Sequence, residues 1–453
     1  MLSCFSKVIE KASDKQLEAY TKINFPNERQ FAYKENHGCQ HPILLTRHLI
    51  ETELQKGNFV CLTLIDLSLA FDTLECGNIL PAKLKFYGAD EKTVSFFRSF
   101  FTGRKHYAEW KGASSNPINL YNHSCVQGSC LGPKVYNHYT QELSKITKCE
   151  CICFADDTNF ILSDKDPNSL IRKMNKELEK TDAYMTENTL IINKEKTYYL
   201  LFTPKGAKRV EITEKMFIKN TEIKRVSNIR FLGISFKKQY DILYAKLQNT
   251  IRALIFTKNT LTYKAKLLVY NALFRSYVDF GAITYFDKLN KTQLEELTKL
   301  QKNAIRLMFS ARKNVHTDKL FKLSNITPIN KLYEIEAVKF IFRYISANSK
   351  DEQPPAIKEI LFKKEKALRS TRLYDDESKV KIFKEYRKGQ CIYNLLDAWN
   401  KADEDLRMAG NLFSLNRMIK EKIKNQTKSC NNKKNCYICK IDHNRNYETY
   451  MEK

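Results

Sequence analysis

Two adjacent carboxylates, Asp156 and Asp157, stand between the apolar runs Cys149–Phe154 and Thr158–Leu162. Cys149, Cys151 and Cys153 alternate with Glu150 and Ile152, and the second run is β-branched and aromatic. Segment 149–163 therefore predicts a β-hairpin with acidic residues at its tip. A tight hairpin exposes neighbouring carboxylates, fixes their direction and lets them share hard cations, as phosphoryl transfer between nucleotides requires. A third acid, Asp66, closes the apolar run Phe59–Ile65, which reads as a buried strand. A carboxylate there is costly unless it meets a cation or hydrogen-bond donors. Taken singly these acids serve equally well as turn formers or caps, and Asp72 reads as a helix cap.

Other features stand in order around the acids. Gly128, Gly132 and Pro133 crowd the start of a helix running through Tyr136, Tyr139 and Leu143. Such a loop lets a backbone or substrate approach closely, and helix N-termini attract phosphate, although a structural turn is the default for the loop alone. Lys194 and Lys196 separate two strand-like runs, Leu190–Asn193 and Tyr198–Phe202. Asp66 and Asp156 can meet only if a sheet sets their strands side by side.

The elements that must position these residues follow from periodicity. An amphipathic helix is expected over 1–20, with Leu2, Phe5, Val8, Ile9, Ala12 and Leu17 on its apolar face. Residues 24–40 are irregular, with an exposed-looking Lys34. A helix spans 42–56 and stops at Gly57. Asp66 leads into a helix over 67–72, and 80–101 is helical with a break at Gly88. Residues 107–110 and 117–120 pair as a hairpin. A helix covers 168–188, and Ile229–Ile234 is a short strand. From Asp241 onward helices dominate: 245–256, 264–282 and 294–309, the last with a core stripe of Leu297, Leu300, Ala304 and Leu307.

Composition bounds the partner. The 453 residues are 43% hydrophobic and 28% charged, which fits a folded, soluble chain of several domains. The net charge of +26 points to a polyanion, nucleic acid first, with a merely Lys-rich surface as the alternative. The 13 cysteines are scattered and odd in number, which suggests reduced thiols and an intracellular setting. No stretch reaches the ~18 apolar residues of a membrane span, and no membrane partner is expected.

Taken together, these runs resemble the reverse transcriptases of non-LTR (LINE-like) retrotransposons. LTLIDLSLAFDTL (62–74), VQGSCLGP (126–133), FADD (154–157) and NKEKTYYLLF (193–202) match the successive palm motifs. FLGI (231–234) matches the primer grip, and QFAYKENHGCQHPILL (30–45) looks like the preceding fingers motif. Runs 267–285, 294–309 and 399–423 resemble the helical regions that follow.

The resemblance implies an α+β right-hand polymerase of fingers, palm and thumb, with an antiparallel palm sheet followed by a helical thumb and C-terminal region. It implies partial fingers over 1–58, palm with inserted fingers elements over 59–236, helical thumb or connection over 237–350, and a charged helical C-terminal region with a basic Cys-containing tail over 351–453. The activity implied is RNA-directed DNA synthesis on an RNA template and a DNA primer, with dNTPs and two Mg²⁺ ions, Mn²⁺ substituting. Asp66, Asp156 and Asp157 become the metal triad, and Lys196 a general acid near pyrophosphate, with a solvated lysine as its alternative. Phe71 takes the place of the gate against a ribose 2′-hydroxyl, with an ordinary core phenylalanine equally consistent. Lys34, Gln127 and Gly128 fall at nucleotide-binding positions, and Phe231, Leu232 and Gly233 at the primer grip.

Departures from the pattern are Lys34 where arginine is usual, Val126 where proline is usual, and Lys134 where apolar residues are usual. Lysine can hold phosphate as a point charge but not as a fork. The resemblance begins inside the fingers and includes no endonuclease. We therefore expect an N-terminally truncated copy, with an endonuclease supplied by another chain. The alternative function is a catalytically inactive, reverse-transcriptase-derived nucleic-acid-binding protein. In the basic tail Cys430, Cys436, Cys439 and His443 offer zinc-ligand residue types, although the spacing fits no standard knuckle and free thiols are the competing reading.

Overall fold

The computed structural model describes residues 4–24, 27–125, 128–208, 210–346, 353–362, 380 and 386–426. The chain divides into two compact units, Met1–Leu232 with Pro354–Ala356, and Gly233–Gln353 with Ile357–Lys453.

The first unit is built on a six-stranded sheet. Its strands in chain order are β1 (Phe59–Ile65), β2 (Glu150–Phe154), β3 (Asp157–Asp164), β4 (Tyr198–Phe202), β5 (Met216–Ile218) and β6 (Thr221–Arg225). They lie in the order β5-β6-β4-β1-β3-β2. All neighbours are antiparallel except β4 and β6, which run parallel. The palm strands β2, β3, β1 and β4 are antiparallel as expected, and β5 and β6 form an added hairpin whose second strand joins β4 in the same direction. Strand β1 is apolar apart from the buried Thr63 because it is central and covered on both faces.

Seven helices of this unit bear on the site. They are α1 (Cys4–Asn24), α2 (Gln40–Gln55), α3 (Ile79–Phe86), α4 (Glu91–Phe101), α5 (Gly132–Tyr139), α6 (Leu143–Ile146) and α7 (Pro167–Glu187). Both α2 and α7 pack against β1 and β3. Helix α7 starts at an Asp166 cap, whose carboxylate accepts from Ser169 N–H, and has Pro167 in its first turn. Its Leu170, Met174 and Leu178 share a core with Phe59, Cys61 and Phe160. Full burial of such side chains stabilises by about 1.5–3 kcal/mol each before entropy is counted.

Two local expectations fail here. Residues 67–72 form no helix: Leu67–Ser68 pairs with Ile191–Ile192, and the chain then turns with Leu69 at φ +51°. Pairing to the segment before β4 wins over the weak helical pattern. In α1, Phe5, Val8 and Ile9 are exposed at 84%, 68% and 56%, while Glu10 and Leu17 are buried. The helix therefore buries Leu17 but turns Phe5, Val8 and Ile9 outward and Glu10 inward, with Asp14 and Glu18 half-buried, and these acids find partners described below.

The second unit is helical. Its longer helices are Gln239–Phe256, Lys291–Met308 and Ile329–Ile345, and a π-helical turn at Tyr270–Arg275 interrupts the expected 264–282 helix. In Lys291–Met308 the buried seam is Leu297, Gln301, Ala304, Ile305 and Met308. It departs from the expected stripe because Gln301 is drawn inward. Its amide donates to Tyr270 Oη and Thr327 O, and its oxygen accepts from Ile329 N–H. Among the described residues no helix is long and apolar enough to cross a membrane.

Candidate active site

Strand register brings the three acids together. Ile65 of β1 pairs with Thr158 of β3, so Asp66 leaves its strand beside Asp157. Phe154 pairs with Asp157, which leaves Ala155 and Asp156 as a two-residue turn. The carboxylates act on one another electrostatically. Burial first, then Asp156 and Asp66, push the Asp157 carboxyl up to about 6. Burial also raises Asp66; the Lys196 ammonium pulls it down and Asp156 pushes it up. Asp157 is exposed by surface area, yet its carboxyl sits among these acids and the flanking rings.

The strand ends are tied down. Asn193 N–H donates to Asp66 O (2.8 Å), and Asp66 N–H donates to Thr197 Oγ1 (3.3 Å). Thr197 Oγ1 in turn donates to Asn193 O (2.7 Å), and Lys196 N–H to Asn193 Oδ1 (3.2 Å). This closed turn, Asn193 to Thr197, holds the exposed Lys196 beside Asp66. Sequence order shows only that a lysine lies between two strands. The pairing of β4 with β1 is what delivers it.

The acidic turn has a support that the sequence did not disclose. Ala155 sits at φ +55°, a region that a non-glycine residue adopts at a cost. The Gln30 side chain grips its peptide at both ends: Nε2 donates to Ala155 O (3.1 Å), and Ala155 N–H donates to Oε1 (2.9 Å). Ala32 N–H donates to the same oxygen at 3.1 Å. Backbone bonds from Phe31 N–H to Cys153 O (2.9 Å) and from Cys153 N–H to Arg29 O (2.8 Å) align the two segments. Gln30 is 2% exposed, so its amide is committed to this clamp.

Lys34 belongs to the same loop. It is half-buried, against the exposed position expected, because its ammonium donates to Asn27 O. Burial lowers it to about 8, opposed by Glu28 and Cys153. Phe71 is half-buried with its ring 4.9 Å from that of Tyr136, and Tyr136 feels both Asp156 and Asp157. This placement sets Phe71 one ring away from the acids.

The Gly-rich loop is seated by α1. Glu10, fully buried, accepts from Ser129 Oγ (2.7 Å), Cys130 N–H (3.1 Å) and Ser6 Oγ (3.2 Å). Lys134 Nζ pairs with Glu18 (2.5 Å) and Asp14 (3.3 Å). Glu10, Asp14 and Glu18 recur every four residues and so form one helix stripe. Lys134, unusual for the resembled pattern, is the partner of that stripe. Gly128 is exposed at φ +82° with open space around it. Gln127 lies outside the described residues, as do Cys430, Cys436, Cys439 and His443.

At the expected primer grip, Phe231 is 1% exposed and Leu232 takes φ +46°. Gly233 opens the second unit at φ +83°, where a Cβ would meet the Phe280 ring at 3.0 Å.

The donor set suits a hard divalent cation. It is all carboxylate oxygen, and a bound cation would offset both the burial and the repulsion by Asp156 and Asp66 that lift Asp157. Among the described residues no three His, Cys, Asp or Glu side chains already stand in ligand geometry. The acids share an electrostatic field and not a finished cage.

A family model described as reverse transcriptase (RNA-dependent DNA polymerase) matches residues 1–236, the region that carries all of these acids. The chain belongs to this family. Among solved structures it is similar to apo telomerase from Candida tropicalis, with 12% identity, 79% of this chain and 57% of that chain covered, and a TM-score of 0.40. It is also similar to telomerase from Candida tropicalis in complex with the TWJ fragment of telomeric RNA: 12% identity, coverages of 73% and 56%, TM-score 0.35. The corresponding Candida albicans complex gives 11%, 71%, 53% and 0.31. The chain thus spans little more than half the length of these telomerases. No curated protein sequence matches it. The fold is that of the reverse transcriptase family, α+β with a central sheet and flanking helices, and the family assignment rests on the matched model.

Proposed function

We propose that the chain is an RNA-directed DNA polymerase of the non-LTR retrotransposon type, extending a DNA primer with dNTPs on an RNA template. The observation that carries this reading is the convergence of Asp66, Asp156 and Asp157 at the ends of paired strands in a reverse transcriptase sheet. In this reading residues 1–58 are fingers, 59–236 palm, 237–350 thumb or connection, and 351–453 a C-terminal region.

Asp66 and Asp156 would hold two Mg²⁺, or Mn²⁺ in their place, with Asp157 beside them. When bound, the cations supply Lewis-acid activation of a primer 3′-hydroxyl and neutralise charge on the triphosphate. Asp66 and the Asn193–Thr197 turn hold Lys196 where its ammonium can give a proton to departing pyrophosphate. Phe71, backed by Tyr136, presents a flat wall to the sugar and excludes a 2′-hydroxyl. Lys34 offers a point charge to phosphate, Gln127 and Gly128 line the nascent base pair, and Phe231, Leu232 and Gly233 grip the primer.

A second reading has its own support. The Lys34 ammonium is already bonded to Asn27 O, and the acids form no ready three-ligand group. On that reading the chain binds nucleic acid without synthesis. Primer extension by the purified chain on an RNA template separates the two. Incorporation of dNTPs over rNTPs, with the preference blurred by Phe71→Ala, supports the polymerase. Salt-sensitive hybrid binding without incorporation supports the inactive form.

A further inference from the structure

Between α4 and the Gly-rich loop the chain leaves the core as a β-ribbon. Lys105–His106 pairs with Ile118–Asn119, and Glu109–Trp110 with Ala113–Ser114. The tip is Lys111–Gly112, both at positive φ (+48° and +83°), the conformation of a type I′ hairpin turn. Residues 105–119 are all exposed. A two-stranded ribbon in water is marginally stable by itself, so contact with a partner would stabilise this one.

Its side chains specify the partner's chemistry. Tyr107, Trp110 and Ile118 are 63%, 77% and 68% exposed, and Tyr121 at the root is 79% exposed. Rings and cationic or titratable groups follow one another along the ribbon, as Lys105, His106, Tyr107, Trp110 and Lys111. Lys111 Nζ already sits 5.9 Å above the Trp110 ring. Glu109 is the only acid in the ribbon, against Lys105 and Lys111. Flat π-faces interleaved with cations match a polyanion whose units are themselves flat rings. A protein partner would match the apolar area but not the charge pattern.

We propose that this ribbon is a binding arm for a single-stranded polynucleotide, with Trp110 and Tyr107 stacking on unpaired bases and Lys105 and Lys111 meeting phosphates. The inference rests on the nucleic-acid part of the proposed function and not on catalysis.

Tryptophan fluorescence tests it directly. The chain has two tryptophans, and Trp399 is 1% exposed, so the solvent-exposed emission belongs to Trp110. Unlabelled oligo(U) added to the full chain should quench the component that Trp110→Ala removes. In anisotropy titrations with labelled oligo(U), Trp110→Ala and Tyr107→Ala should each weaken binding about tenfold, the stacking contribution of roughly one base. Lys111→Gln should lower the salt slope by about one. These positions are exposed, so the variants should fold, which circular dichroism checks. Unchanged affinity and no quenching overturn the arm. Quenching that follows protein concentration without oligo(U) assigns the surface to self-association and also overturns it. Failure of the polymerase reading has a different signature, absent incorporation by the unaltered chain with quenching intact.

Discussion

The Gln30 side chain bonds both the N–H and the C=O of Ala155, at 2.9 and 3.1 Å, and so fixes the turn that carries Asp156. A residue far off in sequence thereby sets the direction of a metal-binding candidate. Gln30→Ala leaves the buried Ala32 N–H and the half-buried Ala155 N–H and carbonyl without these bonds. Each such loss costs about 1–3 kcal/mol, so thermal unfolding should show a clear drop in Tm. Amide exchange at Ala155 should accelerate. Gln30→Glu keeps the acceptor but loses the donor and adds charge near Asp156, and should lose more synthesis than stability. Unchanged exchange at Ala155 in Gln30→Ala would contradict the clamp.

Ala155 itself offers a finer test. Its φ of +55° strains an L-residue and suits glycine. Ala155→Gly should be neutral or stabilising by up to about 1 kcal/mol, because relief of strain offsets the added freedom of the unfolded chain. Ala155→Val should destabilise, since β-branching resists this region. Chemical denaturation of the three proteins, with m-values compared, measures both. A destabilised Ala155→Gly would show that the turn is not strained.

Asp157 predicts a pH dependence. Its carboxyl titrates near 6 in the folded chain, above its ordinary value of 3.8. Between those limits the folded chain holds a proton that the unfolded chain has released. Its stabilising contribution is therefore fully present below about pH 4 and is lost as pH rises through about 6. Asp157→Asn should flatten that part of the metal-free stability profile. Added Mg²⁺ should stabilise the unaltered chain more at pH 7 than at pH 5, because protons compete for the same oxygens. Thermal melts across this range, with and without Mg²⁺, give the result. An identical Mg²⁺ effect at both pH values would count against cation binding here.

Glu10 predicts a selective defect. It seats Ser129 and Cys130 of the Gly-rich loop from a helix that touches neither Asp66 nor Asp156 by any described bond. Glu10→Ala should destabilise by about 1–3 kcal/mol through unpaired donors. In steady-state extension it should raise the KM for dNTP more than it lowers kcat, and Glu10→Gln should restore much of the loss. A fall in kcat alone would place Glu10 elsewhere in the mechanism.

The acids were legible in the sequence because alternating apolar residues mark β2 and β3, and a run apolar but for Thr63 marks β1. Their convergence was legible only through the resemblance, since pairing register is a tertiary property. Gln30 was not legible: it precedes Phe31 like any polar loop residue, and its role arises from a partner in a distant hairpin. In α1 hydrophobic periodicity places Phe5, Val8 and Ile9 inside, whereas the equally regular Glu10, Asp14 and Glu18 stripe lies on the side that packs with Leu17. Lys134 showed as an anomaly, and its meaning needed that stripe.

The most direct test of the central claim is primer extension on an RNA template by the full chain, set beside Asp156→Asn and Asp66→Asn, with Mg²⁺ and with Mn²⁺. The account predicts templated dNTP incorporation by the unaltered chain and a loss of at least about a hundredfold in each variant, with hybrid binding retained. Extension that survives Asp156→Asn, or a folded, hybrid-binding chain that extends no primer with either ion, would contradict it.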